Sequence, residues 1–238
     1  MPQVSFPLNP VTPKFVGSFG NLADLRSSRL ENLQQACDIV EIRLDLLFTE
    51  SGEIDPSNWA HLKGIPLLFT ARRSEEGGAG NLDLRVRSAL LIEILDEAAM
   101  IDIEVASIEE MASVVNSVRE RKIPWIASFH DFSGLPDLSI LTKAEAMAED
   151  AGAAVFKVAA MLHSTADLAQ LADFQLLDHP LPVSTMGMGA LAPVSRLLNS
   201  QCGSVLNYGY LGKTATAPGQ WDCALLKAAA SRLTPLKN

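Results

Sequence analysis

The chain has 238 residues, 48% of them hydrophobic and 20% charged, which is ordinary globular composition with enough length for one sizeable core. A net charge of -9 opposes binding to phosphate backbones, and no basic run with interleaved aromatics offsets it, so nucleic acid is excluded as a partner. No stretch approaches the roughly 18 consecutive apolar residues of a membrane span, and the N-terminal MPQVSFPLNP lacks the pattern of a signal peptide, so a cytoplasmic protein is expected.

Short apolar runs follow one another along the chain, each trailed by helical periodicity or helix-start chemistry. They are KFVGSF (14 to 19), IVEIRLDLL (39 to 47), PLLFTAR (66 to 72), MIDIEVA (100 to 106), PWIASFH (124 to 130), AAVFKVAA (153 to 160), LPVSTM (181 to 186) and SVLNYGYL (204 to 211). Their spacing of about 25 to 35 residues suits one strand, one crossover helix and two loops. Helical partners are clearest at 81 to 99, at 107 to 121, where Ser107 and Glu110 form a capping-box pattern, and at 219 to 232; 48 to 63 is the weakest. Strict β-α alternation predicts the α/β class with a parallel sheet, and eight units predict a single-domain (β/α)8 TIM barrel over 1–238. An open doubly wound sheet is the alternative.

In such a barrel the active site lies at the C-terminal ends of the strands, where this chain carries polar residues in unit after unit. Ser18 ends the first run; Glu41, Arg43 and Asp45 belong to the second, Arg72 to the third, Asp102 and Glu104 to the fourth. His130 and Asp131 end the fifth, Lys157 lies in the sixth, and the last two lead to Arg196 and to Thr216 and Gln220. Lys157 has only apolar neighbours in AAVFKVAAML. Desolvation lowers the pKa of such an amine and leaves a neutral fraction able to attack a carbonyl. The plain alternative is a lysine snorkelling from a strand end. His130, followed by Asp131, is placed to take and return a proton near neutral pH. His61, His163 and His179 lack that placement, and no histidine spacing suits a metal.

Cys37, Cys202 and Cys223 show no C-x-x-C spacing and read as buried or free thiols in a reducing compartment, with no structural metal expected. GMGALA (187 to 192) matches G-x-G-x-x-A, but the acid expected about 20 positions on is absent, the next being Asp222. Arg196 with Thr216 and Gln220 suits a phosphate or a carboxylate.

Taken together, PKFVGS, EIRLD, FTARRSEEGG, DIE, SFHDF, FKVAAM, the segment from Met188-Gly189 through Ser195-Arg196, and TAPGQ resemble the type I 3-dehydroquinate dehydratase family in order and spacing. The resemblance implies a (β/α)8 barrel that dehydrates 3-dehydroquinate to 3-dehydroshikimate in the shikimate pathway without a cofactor. It implies that Lys157 forms an imine with the substrate ketone, that His130 moves the protons, and that Glu76 orients His130. It further implies that Arg196 pairs with the substrate carboxylate and that Thr216, Ala217 and Gln220 come from a loop closing over the ligand. Glu41, Arg43 and Arg72 would hold ring hydroxyls, with Ser18 at the periphery, Met188 packing on the ring, and Asp102 and Glu104 supporting the arginines and His130. A homodimer is expected from the same resemblance.

The chain departs from the family pattern at Ala192, before Pro193, where glycine is common; at Thr216, where serine is usual; and at Leu162, where proline often stands. Two other functions fit the residues. A Schiff-base aldolase would share Lys157 but cleave a carbon–carbon bond. A sensor of a shikimate-pathway acid would bind without turnover.

Overall fold

The computed structural model describes residues 8–236. Eight parallel strands, β1 (Lys14–Phe19), β2 (Ile39–Arg43), β3 (Leu67–Thr70), β4 (Met100–Glu104), β5 (Trp125–Asp131), β6 (Val155–Met161), β7 (Val183–Met188) and β8 (Leu206–Leu211), form one sheet in the order β7-β6-β5-β4-β3-β2-β1-β8. The sheet curls into a nearly closed barrel. β7 and β8 meet without a regular ladder: Val205 N–H donates to Val183 O at 3.1 Å, Thr185 N–H donates to Ser204 Oγ at 3.2 Å, and Ser184 Oγ donates to Leu206 O. Small hydroxyl side chains thus satisfy backbone groups that a ladder would otherwise pair.

The helices are α1 (Leu22–Ser27), α2 (Leu30–Ala36), α3 (Leu44–Ser51), α4 (Leu84–Glu93), α5 (Ala112–Glu120), α6 (Leu138–Asp150), α7 (Thr165–Leu176), α8 (Ala192–Gln201) and α9 (Cys223–Ala230). Their starts follow capping chemistry: Asn21 accepts from Asp24 N–H, Asp83 from Val86 N–H and Asp222 from Leu225 N–H, while Ser164 and Asp167 form a capping box. The helices bury their apolar faces on the outside of the barrel, with Trp59 edge-on to Phe69 at 5.4 Å between ring centroids.

Inside the barrel, side chains two residues apart share the inner face. Val16, Ile39, Leu68, Met100, Ile126, Val155 and Leu206 pack together as an apolar layer, and Leu8 joins them beside the starts of β7 and β8. Two residues further along each of β1 to β6 stands Ser18, Glu41, Thr70, Asp102, Ser128 or Lys157. The apolar layer is the floor on which the polar layer rests.

Three expectations need correction. The second run does not continue as strand past Arg43: α3 begins at Leu44, and Asp45 lies in its first turn, accepting from Arg43 and from the N–H groups of Arg72 and Ala79. No capping box forms at Ser107 and Glu110; residues 105 to 107 make a 3-10 turn, α5 starts at Ala112, and Ser107 Oγ donates to buried Glu104 at 2.9 Å. A buried carboxylate outcompetes a helix cap for the hydroxyl. Finally, β6, β7 and β8 begin two residues after the apolar runs do; at β6 and β8, Ala153 N–H and Ser204 N–H still close the preceding helices by bonding Ala148 O and Asn199 O.

Gly209 lets α9 lie directly on β8, since a Cβ there would sit 2.4 Å from Cys223 Cα. Gly209→Ala is expected to lower stability by about 1–3 kcal/mol in urea unfolding. Gly134→Ala, with nothing within 4 Å of its added methyl, should stay within about 0.5 kcal/mol.

Candidate active site

The polar layer opens into a cavity at the C-terminal mouth of the barrel. Lys157, His130 and Glu76 line it together with Ser18, Glu41, Arg43, Arg72, Met188, Arg196, Thr216, Ala217 and Gln220. Gly77, Phe132, Ala159, Met186 and Tyr208 also line it and were not anticipated. Tyr208 was the discoverable one: it stands two residues after inward Leu206 and registers with inward Val16.

Lys157 points inward from β6 and is 3% exposed. Its Nζ donates to Asp102 Oδ2 at 2.8 Å and stands 4.3 Å from the centroid of the Tyr208 ring. Burial lowers the Lys157 pKa; Asp102 opposes that shift and Arg72 adds to it. Burial also disfavours the Asp102 carboxylate, yet Arg72 and Lys157 pull its pKa down to about 2. Arg72 reaches Asp102 at 2.9 Å, Glu104 at 3.0 Å and Ser128 Oγ at 2.6 Å. Glu104 also meets Arg87, whose Nε donates to Ala71 O at 2.8 Å. Asp102 and Glu104 do support Arg72, but neither bonds His130.

His130 is held by Glu76 from a 3-10 turn, Ser74–Glu76. Glu76 Oε2 accepts from the His130 backbone N–H at 2.9 Å and lies 2.9 Å from Nδ1. An ionised carboxylate only accepts, so Nδ1 then carries the hydrogen and Nε2 keeps a free lone pair. Burial, with the positive fields of Arg72, Lys157 and Arg43, holds His130 well below its usual range. Burial pushes Glu76 up to about 7 against the pull of Arg72. Asp131, the carboxylate next in sequence, instead caps a turn by accepting from Ser133 and Gly134 N–H.

On the far wall, Glu41 accepts from Ser18 Oγ and from Thr70 Oγ1 at 2.8 Å, which places Ser18 within the buried layer rather than at its edge. Arg43 grips Asp45 through Nε at 2.9 Å and Nη2 at 2.7 Å, and its Nη1 has no partner among the described residues. Arg196 differs from every other cation here. It is 2% exposed and donates to Tyr208 O at 2.7 Å, but it has no carboxylate partner among the described residues and its Nε is unbonded. Burial lowers its pKa to about 10. An unpaired buried guanidinium with spare donors is a site for an anion.

The loop from 212 to 220 covers the cavity. Gly189 N–H donates to Pro218 O at 3.1 Å, and Gly219, at φ +71°, passes so close to Gly189 O that a Cβ would stand 2.1 Å from it. Thr216 N–H and Oγ1 each donate to Gln220 Oε1 at 2.9 Å, so the hydroxyl bonds within the loop. Leu162 adds an N–H to Met188 O at 3.2 Å that a proline would lack. Ala192 opens α8 with its methyl toward Gly219, and Arg196 one turn later still reaches the cavity. In GMGALA, Gly187 N–H is taken by Ser195 Oγ and Gly189 N–H by Pro218 O, so the donors a pyrophosphate would use are occupied. His61, His163 and His179 bond Ser28, Ser133 and Glu145, away from the cavity.

A buried, pKa-lowered amine, a neutral histidine and an unpaired arginine line one cavity, a set suited to chemistry on an anionic carbonyl compound. The molecule is thus a β/α-barrel enzyme acting on a small keto acid. The family model described as Type I 3-dehydroquinase matches residues 20–234. A 3-dehydroquinate dehydratase of Methanothrix thermoacetophila is 33% identical over 225 residues, covering 92% of this chain and 91% of its own. The crystal structure of 3-dehydroquinate dehydratase from Geobacillus kaustophilus superposes with a TM-score of 0.80 at 26% identity, over 92% of this chain and 90% of that one. A Clostridium difficile type I 3-dehydroquinate dehydratase solved with covalently modified comenic acid gives 0.77 at 25% identity, over 92% and 91%. The chain belongs to the type I 3-dehydroquinase family, and its reaction is the dehydration of 3-dehydroquinate in the shikimate pathway.

Glu104 is shared by Arg72, Arg87 and the Arg73 N–H. Glu104→Gln would leave two buried guanidinium groups short of a counter-charge, and a loss of about 3–5 kcal/mol is expected in urea unfolding.

Proposed function

We propose that Lys157 is the imine-forming residue, His130 the proton carrier and Arg196 the carboxylate anchor of this dehydratase, with the whole chain, 1–238, acting as one catalytic domain. The observation that carries this reading is the contrast between two buried cations. Lys157 is paired but pKa-lowered, as a nucleophile must be, whereas Arg196 is unpaired, as an anion receptor must be.

The neutral Lys157 amine adds to the substrate ketone, and loss of water gives a cationic imine. That cation acidifies the adjacent C–H, because the imine nitrogen accepts the electron pair left behind. His130, through Nε2, removes the proton, and the pair is held as an enamine. Return of the pair expels the hydroxyl from the next ring carbon, with His130 handing back the proton so that it leaves as water. Addition of water to the conjugated imine releases the product ketone and restores the amine. Glu76 fixes the His130 tautomer throughout. Arg43 Nη1 and the remaining lone pairs of Glu41 face ring hydroxyls, with Arg72 and Ser18 beside them, and Met188 packs on the ring. Thr216, Ala217 and Gln220 exclude water. The covalently modified ligand in the Clostridium difficile relative supports covalent chemistry at such a site. A homodimer and a cytoplasmic location belong to the same reading. The second is supported by the buried, unpaired state of Cys37, Cys202 and Cys223.

Borohydride added with 3-dehydroquinate should fix an adduct on the peptide containing Lys157, read by mass spectrometry; absence of that adduct would overturn the assignment. His130→Ala should keep trapping while turnover, followed by the conjugated enone absorbance, falls by about 10²–10⁴. An aldolase would show no enone, and a sensor would bind without it.

The pH profile tests Glu76. Because its folded pKa is raised to about 7, the charged form that orders His130 fills only as pH rises through that value. kcat/KM is expected to climb there, and Glu76→Gln should both lower it and remove the step.

A further inference from the structure

Tyr208 has no assigned part in the reaction, yet it touches both cations that the reaction uses. Its ring face lies 4.3 Å from Lys157 Nζ, and its carbonyl accepts from Arg196 at 2.7 Å. Its hydroxyl is buried and has no hydrogen-bond partner among the described residues. The ring, not the hydroxyl, is therefore what engages the site. A cation over the face of a desolvated aromatic ring is attracted by the ring quadrupole.

We propose that the Tyr208 ring is a positioning residue for the imine nitrogen: its face and the Asp102 carboxylate grip Nζ together, and the face keeps hold of the charge once Nζ has become an iminium. In imine formation the N–C bond forms. The ketone oxygen leaves as water with one proton from nitrogen and one supplied by solvent through His130. The ammonium carries three N–H donors, but the iminium carries one. Hydrogen bonding to Asp102 alone then fixes the nitrogen less well, whereas the ring needs no N–H to attract the cation. Through its carbonyl the same residue fixes the distance from the amine to the arginine that would hold the carboxylate.

The inference rests on Lys157 being the imine-forming residue, and the experiment separates the two. Wild-type enzyme is trapped with borohydride and 3-dehydroquinate across a pH series, beside Tyr208→Leu and Tyr208→Phe. The Leu variant is expected to lose roughly 10- to 30-fold in kcat with little change in KM. Its trapping profile should shift to lower pH, because a removed ring no longer favours the charged amine. Tyr208→Phe should restore both. The other groups facing Nζ, namely Asp102 on β4, Arg72 after β3, Glu41 on β2 and His130 on β5, are the same in all three proteins. Should the Leu variant fail to fold, Tyr208 replaced by pentafluorophenylalanine keeps the ring shape and reverses its face potential, and the same losses are expected. No adduct in wild type would overturn the Lys157 assignment. An adduct in wild type, with unaltered kcat and trapping profile in the Leu or fluorinated protein, would overturn the role of Tyr208 alone.

Discussion

One buried carboxylate holds the site in place. Asp102, on β4, is bonded by Lys157 and Arg72, with Ser128 donating to the same oxygen as Arg72. Two cations buried near each other repel, and each alone would suffer a desolvation cost of several kcal/mol. With the carboxylate between them they coexist. Arg72 is thereby fixed, and its backbone carries the consequence outward: Arg72 N–H bonds Asp45, and Arg73 N–H bonds Glu104. Those bonds anchor the turn that delivers Glu76 to His130. A carboxylate that never meets His130 thus helps determine where His130 is held.

The surrounding charges follow from the same constraint. Glu104 sits between Arg72 and Arg87, and Asp45 is bound by Arg43, so each of these guanidinium groups arrives already neutralised. Among the described residues, Arg196 alone of the buried guanidinium groups is left without a carboxylate. An unpaired buried cation is a stability sacrifice that a ligand anion reverses on binding, and such local departures from good packing are expected where function resides. The negative net charge of the chain does not argue against an anionic substrate, because the attraction is local and water-excluded.

Much of this was legible because a barrel strand writes its inner face at every second residue. I-V-E-I-R, M-I-D-I-E and V-F-K-V-A each show an apolar floor residue followed by a polar one two places on, and those polar residues meet in space. What escaped has physical causes. Asp45 was read as strand because its neighbours are apolar, although helix α3 begins one residue earlier to bring the carboxylate to Arg43. Ser107 matched a capping pattern that could not register the pull of a buried glutamate from the preceding strand end. Asp131, noted beside His130 in the sequence, turns to its own loop because successive strand residues face opposite sides, and the carboxylate that bonds His130 is Glu76. Glu76 carries no periodic signal in its 3-10 turn and was reached only through family resemblance. Tyr208 was passed over because an aromatic residue in an apolar run reads as core, which it also is.

The loop that closes the cavity shows how the departures from the family pattern are accommodated. Within it, Thr216 N–H and Oγ1 both bond Gln220 Oε1, and Gln220 N–H bonds Ala217 O. Its ties to the rest of the protein are few: Pro218 O to Gly189 N–H, Lys213 N–H to Asp24, and Asn21 to Thr214. The loop is thus held to the barrel by a few bonds near its two ends, and the buried charge network around Asp102 uses none of them. The methyl of Ala192 stands where Gly219 passes, and only a glycine at positive φ fits between that methyl and Gly189 O. The methyl of Ala192 and the bare Cα of Gly219 therefore meet where α8 begins, and any side chain at 219 would have to push the Gly189 carbonyl aside.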